Sequence, residues 1–263
     1  GSGKKAALAT GFKHVQTPWF ATVDADVRLG VDWAHSLLAT AVRESAACVL
    51  GGVVVDAEPA TAWRRFQRLE FAVMQTWIAG GVQSERLAMG SGANSLYATA
   101  HYPVDALQPE WSSGDDAFAL LALRQADKSI RWCGRSEARV VTSAAPDWRA
   151  LWQQRARWAS KTGGQDAETR RTALTIAAVH ASPVALAMGA VFADSAWGWG
   201  MLAGFIAAKT ALDWRLLALA SREFGIPLRA GDVALFPFHY SVLVWGAWWQ
   251  LLRGRVEWKG RRI

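Results

Sequence analysis

Two pairs of acids and one basic pentapeptide carry most of the chemical potential of this chain. Asp24-Ala25-Asp26 directly follows the apolar run Trp19-Phe20-Ala21-Thr22-Val23. Active sites of open α/β sheets lie outside the carboxyl ends of strands. Two carboxylates two residues apart at such an end can hold a hard divalent cation, because Mg²⁺ is usually bound by one or two carboxylates plus phosphate oxygens. A cation there would neutralise a diphosphate leaving group. The same triplet is also compatible with a turn carrying two solvated acids. Gly114-Asp115-Asp116 opens a helix-like stretch. One of these acids can serve as a general base toward a hydroxyl, or both can simply stabilise a helix start through the dipole and free N–H groups. Gln154-Arg155-Ala156-Arg157-Trp158 lies in a basic helix. Arg binds phosphate through paired hydrogen bonds, and Trp offers a flat face. An interfacial helix with Arg toward lipid phosphates would look the same. Lys4, near the chain start, can contact phosphate and is otherwise an ordinary terminal charge.

The elements that must position these residues alternate. Trp19–Val23 reads as a strand, Val31 to Val42 as a helix and Cys48 to Val55 as one apolar strand containing Gly51 and Gly52. Thr61 to Ile78 reads as an amphipathic helix. A glycine-rich loop, Gly90-Ser91-Gly92-Ala93-Asn94, leads into a strand over 95–100. Asp115 to Arg124 reads as a helix, Ala138 to Thr142 as a strand, and Trp148 to Ala159 as a helix started by Asp147. This order predicts an α/β sheet with helices on its faces.

Composition changes after Arg171. Thr172 to Phe192 and Val233 to Leu252 carry no Asp, Glu, Lys or Arg and are long enough to span a bilayer. Ser195 to Ala208 is apolar but short, and runs into Lys209, Asp213 and Arg215. It predicts either a span with a charged end or an interfacial helix. Apolar residues make up 52% of the chain and charged residues 19%, with 16 tryptophans, a residue enriched at membrane interfaces. The net charge of +7 suits phosphate-bearing partners. No basic run with interleaved aromatics points to nucleic acid. Cys48 and Cys133 lack metal-type spacing and predict buried thiols.

Order and spacing bind these features together: Asp26 and Asp116 are 90 residues apart, and Asp116 and Gln154 are 38 apart. At this point the chain resembles the processive-type branch of family-two glycosyltransferases, the group that includes cellulose and hyaluronan synthases. That family shows Gly-Lys-x-x-Ala-Leu, D-x-D, a Gly-Ala-Asn-type loop, an acidic pair ending in Asp, and Q-x-x-R-W. Here these look like Gly3–Leu8, Asp24–Asp26, Gly92–Asn94, Asp115–Asp116 and Gln154–Trp158. The terminal Trp258-Lys259-Gly260-Arg261-Arg262 is similar to the ends of many bacterial members. The acidic pair is Gly-Asp-Asp rather than the usual Thr/Glu-Glu-Asp, with the last Asp kept. The family's first two strands, which normally supply an Asp reading the nucleotide base, have no counterpart before Lys4. The start lacks an initiator Met, and the resemblance favours a piece of a longer protein.

The resemblance implies a GT-A-like mixed sheet flanked by helices, N-terminally truncated, followed by a C-terminal helical membrane region. The expected division is a cytoplasmic catalytic domain over 1–170 and membrane or interfacial helices over 171–263. It implies a metal-dependent hexosyltransferase that inverts the anomeric centre. The expected partners are a nucleotide-sugar donor, expected to be UDP-linked, and a lipid or glycan acceptor. Asp116 would be the base. Asp26, with Asp24, would hold Mg²⁺ or Mn²⁺; Lys4, Asp24 and Arg157 would serve the donor phosphates. Gly92, Ala93, Asn94, Asp115, Gln154 and Trp158 would shape the sugar and acceptor pocket. The implied location is the bacterial cytoplasmic membrane, multi-pass, with the catalytic face in the cytoplasm. Three spans would leave Arg253, Arg255, Lys259, Arg261 and Arg262 outside, against the positive-inside tendency; two spans would strand Lys209, Arg215, Arg222 and Arg229. Two other readings stand beside this one: a membrane-anchored partner subunit without catalysis, and a metal-dependent phosphotransferase acting on lipid phosphates.

Overall fold

The computed structural model of the chain describes residues 4–106, 114–254, 256–258 and 261–262. It forms two compact units, Gly1–Ala144 with Gly164–Asp166, and Ala145–Gly163 with Ala167–Ile263.

The first unit is a mixed α/β sheet with flanking helices, as the sequence predicts. In chain order its elements are α1 (Lys4–Phe12), β1 (Trp19–Val23), α2 (Trp33–Arg43), β2 (Cys48–Gly51), β3 (Val53–Val55), α3 (Ala62–Gln83), β4 (Asn94–Ala98), α4 (Asp115–Gln125), β5 (Ile130–Cys133) and β6 (Val140–Thr142). The main sheet has the order β1-β4-β2-β5. Strand β4 is antiparallel to both of its neighbours, and β2 runs parallel to β5. All four residues of β2 are buried, which suits a central strand covered on both faces. Leu37 and Ala41 of α2 close over Val49, Leu96 and Cys133 to form part of the core. On α3, Thr61 caps the first turn by accepting the Arg64 N–H at 3.2 Å, and Gln75 Oε1 accepts the Val53 N–H at 3.3 Å. A helix side chain thereby satisfies a backbone donor that the sheet leaves unpaired.

The expected single strand from Cys48 to Val55 is divided. Strand β2 belongs to the main sheet, whereas β3 pairs in parallel with β6 in a second, two-stranded sheet. The division falls at Gly52, and the cause is Asn94. This residue is fully buried. Its Nδ2 donates to the carbonyls of Gly52 and Ala138, each at 2.8 Å, and its Oδ1 accepts the Trp33 indole N–H at 2.8 Å. Gly51 makes room: a Cβ there would overlap the Asn94 amide.

The loop after β1 is tied to the small sheet. Arg28 and Val141 exchange backbone hydrogen bonds at 2.8 and 3.0 Å, and the Arg28 guanidinium pairs with Asp56 at 2.7 Å. Residues 164–166 belong to this unit through the pair Arg124–Asp166, 3.1 Å apart.

The second unit is almost wholly helical. It contains α5 (Trp148–Ala159), α6 (Ala167–Phe192), α7 (Ala196–Phe224), α8 (Ala230–Leu252) and a terminal pair of two-residue strands, β7 (Glu257–Trp258) and β8 (Arg261–Arg262). Helix α5 has the predicted bounds, and Asp147 caps it by accepting the Ala150 N–H at 2.8 Å. This compact unit begins at Ala145, and within it α5 packs on α8. Among the described residues one helix, α6, is long and apolar enough to cross a membrane, and only 11% of its most apolar window is buried. Helix α8, with Asp232, Pro237, His239 and Gln250, does not reach that apolarity.

The short middle segment of the sequence reading is a single 29-residue helix, α7. The charges that suggested its end, Lys209 and Asp213, stand one turn apart and pair with each other, with side chains only 11% and 12% exposed. Ser195 caps its start, and Gly225, at φ 65°, ends it in the left-handed conformation that glycine adopts without a Cβ penalty.

Asn94→Ala leaves the Ala138 carbonyl and the Trp33 indole without their partner. Each buried group left unsatisfied costs about 1–3 kcal/mol. The thermal unfolding midpoint of the first unit is expected to fall by roughly 8 °C or more; an unchanged midpoint would show that the amide does not fasten the fold. The Arg28 guanidinium, through its hydrogen bond, holds the Asp56 carboxyl below its ordinary value of 3.8. Its stabilising contribution is therefore complete above the unfolded value and disappears as pH falls through the lower folded value. Titration of Asp56 followed by NMR is expected to show a midpoint below 3.8 that rises in Arg28→Ala; equal midpoints in the two proteins would contradict the tie.

Candidate active site

Strands β1, β2 and β5 point the same way, so their carboxyl ends meet at one edge of the main sheet. The register sets Val23 opposite Asn94, Leu50 opposite Ser95 and Gly51 beside Cys133. The edge therefore carries Asp24 after β1, Gly52 after β2, and the loop 90–94 that enters β4. This is the position at which open α/β sheets place ligands.

Asp24-Ala25-Asp26-Val27 is a turn, closed by the Val27 N–H on the Asp24 carbonyl at 3.3 Å. Asp24 is half-buried and Asp26 is exposed. Both alternatives from the sequence meet here, since the acids form a turn and also stand at the strand end. Among the described residues no third His, Cys, Asp or Glu completes a metal cluster. Two carboxylates on a partly open turn match a hard cation that fills its remaining positions with phosphate and water oxygens. They do not match a closed structural site.

The acidic pair sits at the start of α4. Gly114 adopts φ 95° as the N-cap, a conformation that a residue with a Cβ rarely takes. Asp115 is buried at 8% exposure. Asp116 is half-buried, and its two carboxylate oxygens have separate partners. Oδ1 accepts the Ala117 N–H at 2.9 Å, which is the helix-start role. Oδ2 accepts the Gly92 N–H, also at 2.9 Å. The second bond joins the glycine-rich loop to the acidic pair. A Cβ on Gly92 would stand 3.1–3.3 Å from the Asp116 side chain, so glycine allows the close approach. Gly92, Ala93, Asp115 and Asp116 are thus brought together at the edge that also carries the D-x-D turn.

Asn94 is placed differently from its expected pocket-lining role. Its amide turns into the fold and both N–H groups are taken by backbone carbonyls. Sequence reasoning missed its partners Gly52, Ala138 and Trp33. A signal existed in Trp33, a half-buried indole that needs an acceptor, but nothing local connects it to a residue 61 positions away.

Gln154, Arg157 and Trp158 stand half-buried on α5 in the second unit. Gln154 Oε1 accepts from Arg155 Nη1 at 2.6 Å, and the Arg155 guanidinium lies 4.3 Å from the Trp158 ring centroid. Arg155 therefore braces both neighbours, a cation–π arrangement that Q-x-x-R-W as a pattern does not specify. Lys4 opens α1, and its side chain lies outside the described residues. So do Gly3 and the side chains of Trp258, Arg261 and Arg262.

Two other features are set apart from this edge. Cys48 and Cys133 are free and buried, and burial pushes the Cys48 thiol far up, which keeps it protonated and unreactive. A cleft of about 380 Å³, lined by Trp19, Ser45, Ala98, Lys128 and Ser129, opens at the opposite end of the strands and contains none of the motif residues.

No curated protein matches the chain. The family comparison covers the D-x-D turn and the Gly92–Asn94 loop and stops before Asp115, Asp116 and α5. Residues 1–102 of the 263 match the model of glycosyl transferase family 2, and glycosyl transfer is the chemistry that this match supports.

Proposed function

We propose that this chain carries the catalytic residues of an inverting glycosyltransferase that moves a sugar from a nucleotide-sugar donor to a hydroxyl of a lipid or glycan acceptor at a membrane. The observation that carries the reading is the Asp116 carboxylate fastened to the Gly92 N–H on the sheet edge that also holds Asp24 and Asp26. A plain helix cap requires the bond to Ala117 and nothing more. The second bond fixes the carboxylate beside a loop whose backbone can approach a sugar closely.

In the proposed reaction the acceptor oxygen attacks the anomeric carbon from the face opposite the donor phosphate. The new carbon–oxygen bond forms as the carbon–oxygen bond to the diphosphate breaks. The acceptor proton passes to Asp116, and the nucleoside diphosphate departs with the electron pair. A general base of this kind contributes about 10²–10⁴-fold. Asp24 and Asp26 would hold Mg²⁺ or Mn²⁺, which would stabilise the charge developing on the diphosphate. Lys4 and Arg157 are assigned to phosphate, and Gln154 and Trp158 to the acceptor, on the resemblance given above. Gly92 and Ala93 line the sugar side, with Asp115 behind them. The UDP-linked donor and the bacterial multi-pass membrane setting are part of the same reading.

Membrane attachment is supported by α6 and by the large apolar side chains that α6, α7 and α8 leave exposed, among them Phe192, Trp197, Leu212, Phe238 and Leu252. A set of exposed apolar residues on this scale marks an interaction surface.

Asp116→Asn keeps the size and one acceptor oxygen but loses the base. Sugar transfer is expected to fall by about 10²-fold or more while nucleotide-sugar binding, measured by calorimetry, survives; transfer near the wild-type rate would remove Asp116 from the role. Gly92→Ala introduces a methyl 3.1–3.3 Å from the Asp116 side chain. The carboxylate must shift by a few tenths of an ångström, and kcat is expected to drop about tenfold with little change in stability. An unaltered kcat would show that the loop does not set the position of the base.

A further inference from the structure

Helix α5 carries Gln154, Arg157 and Trp158, and the contacts that seat α5 come from α8. The Trp148 ring lies 6.1 Å from the His239 ring. The Trp152 indole occupies the space over Gly246 so closely that a Cβ there would overlap the ring. Gln153 Nε2 donates to Gln250 Oε1 at 3.0 Å. His239, Gly246 and Gln250 fall seven and then four residues apart, on one stripe of α8 that also buries Leu243 and Ala247. Their partners on α5 rise in the same order, so the two helices run parallel along the contact.

The two kinds of contact constrain different motions. Glycine inside a helix costs roughly 1 kcal/mol relative to alanine, and it is favoured where backbones or bulky side chains must come close. At Gly246 the reason is visible: the indole of Trp152, tilted against the Trp148 ring with centroids 5.9 Å apart, takes the place of a side chain. The Trp152 Nε1 is buried without a hydrogen-bond partner, so shape alone sets this contact. The glutamine pair adds direction, because a hydrogen bond near 3 Å fixes rotation as well as distance. Gln153 directly precedes Gln154, and the bond therefore acts one residue from the motif.

We propose that Gly246 and Gln250 are positioning residues. Gly246 sets how deeply α5 seats on α8, Gln250 sets its rotation, and together they place Gln154, Arg157 and Trp158. The proposal rests on the transferase reading of those three residues. Reactive groups misplaced by 1 Å lose about 10²-fold in rate, so a helix-seating defect is readable in kcat.

The test uses the full chain and two readouts. Gln153→Cys with Gln250→Cys, treated with a short bismaleimide, reads the seating without any activity; Cys48 and Cys133 are buried and do not compete. Cross-linking is expected, and it is expected to be lost when Gly246→Leu is added. In the transfer assay Gly246→Leu is expected to lower kcat about tenfold, and Trp152→Ala in the same chain is expected to restore it. Gly231→Ala, with open space around that glycine on the same helix, is expected to change nothing. Gln250→Leu is expected to lower kcat about threefold, and Gln250→Glu, which keeps the acceptor oxygen, to retain it. A merely structural role would lower the thermal unfolding midpoint without this pattern of rescue. Failure of the cysteine pair to cross-link overturns the seating. Normal kcat in Gly246→Leu, or a loss that Trp152→Ala does not restore, overturns the positioning role. A chain that cross-links as expected yet transfers no sugar overturns the functional reading beneath it.

Discussion

The buried amide of Asn94 is the constraint on which the first unit depends. It fastens four segments at once: the start of β4 that carries it, the break between β2 and β3 at Gly52, the approach to β6 at Ala138, and α2 through Trp33. An amide removed from water without partners costs several kcal/mol. The site is therefore stable only when all three partners are in place together. Gly92 lies two residues before Asn94, so the bolt that divides the sheets also sets the loop to which Asp116 is bonded. Fold and candidate chemistry share one anchor.

The consequences spread along the sheet edge. Dividing the Cys48–Val55 run frees β3 to pair with β6, and Val141 of β6 in turn holds Arg28 in the loop beyond Asp26. The D-x-D turn is thus supported on one side by β1 and on the other by a bridge to the small sheet. Asp56 reinforces that bridge through an exposed ion pair, whose contribution is screened by solvent and salt and is modest. Binding of a charged donor at this edge would require support of this sort, since the acids themselves sit on a turn.

Much of the frame was legible in the sequence because its signals are local. The apolar run ending at Asp24, the cap at Asp147 and the helical period from Trp148 to Ala159 each depend on neighbouring residues. What was not legible depends on distant ones. The break at Gly52 requires Asn94, 42 residues on. The bond between Gly92 and Asp116 spans 24 residues and joins two motifs that local reading treats separately. The charges within α7 read as the charged end of a span or as part of an interfacial helix because the pairing of Lys209 with Asp213, both largely buried, leaves no trace in hydropathy. Asn94 looked like a pocket residue because position in a glycine-rich loop does not say which way an amide turns.

The family match covers residues 1–102 and so reaches the D-x-D turn and the glycine loop, while Asp116 and the α5 residues lie beyond it. The proposed account is a single displacement in which Asp116 takes the acceptor proton, and stereochemistry tests that claim most directly. The anomeric configuration of the product should be determined by NMR coupling constants after transfer from a nucleotide sugar of known configuration. The account predicts an inverted anomeric centre. A product with the donor's configuration retained would contradict it.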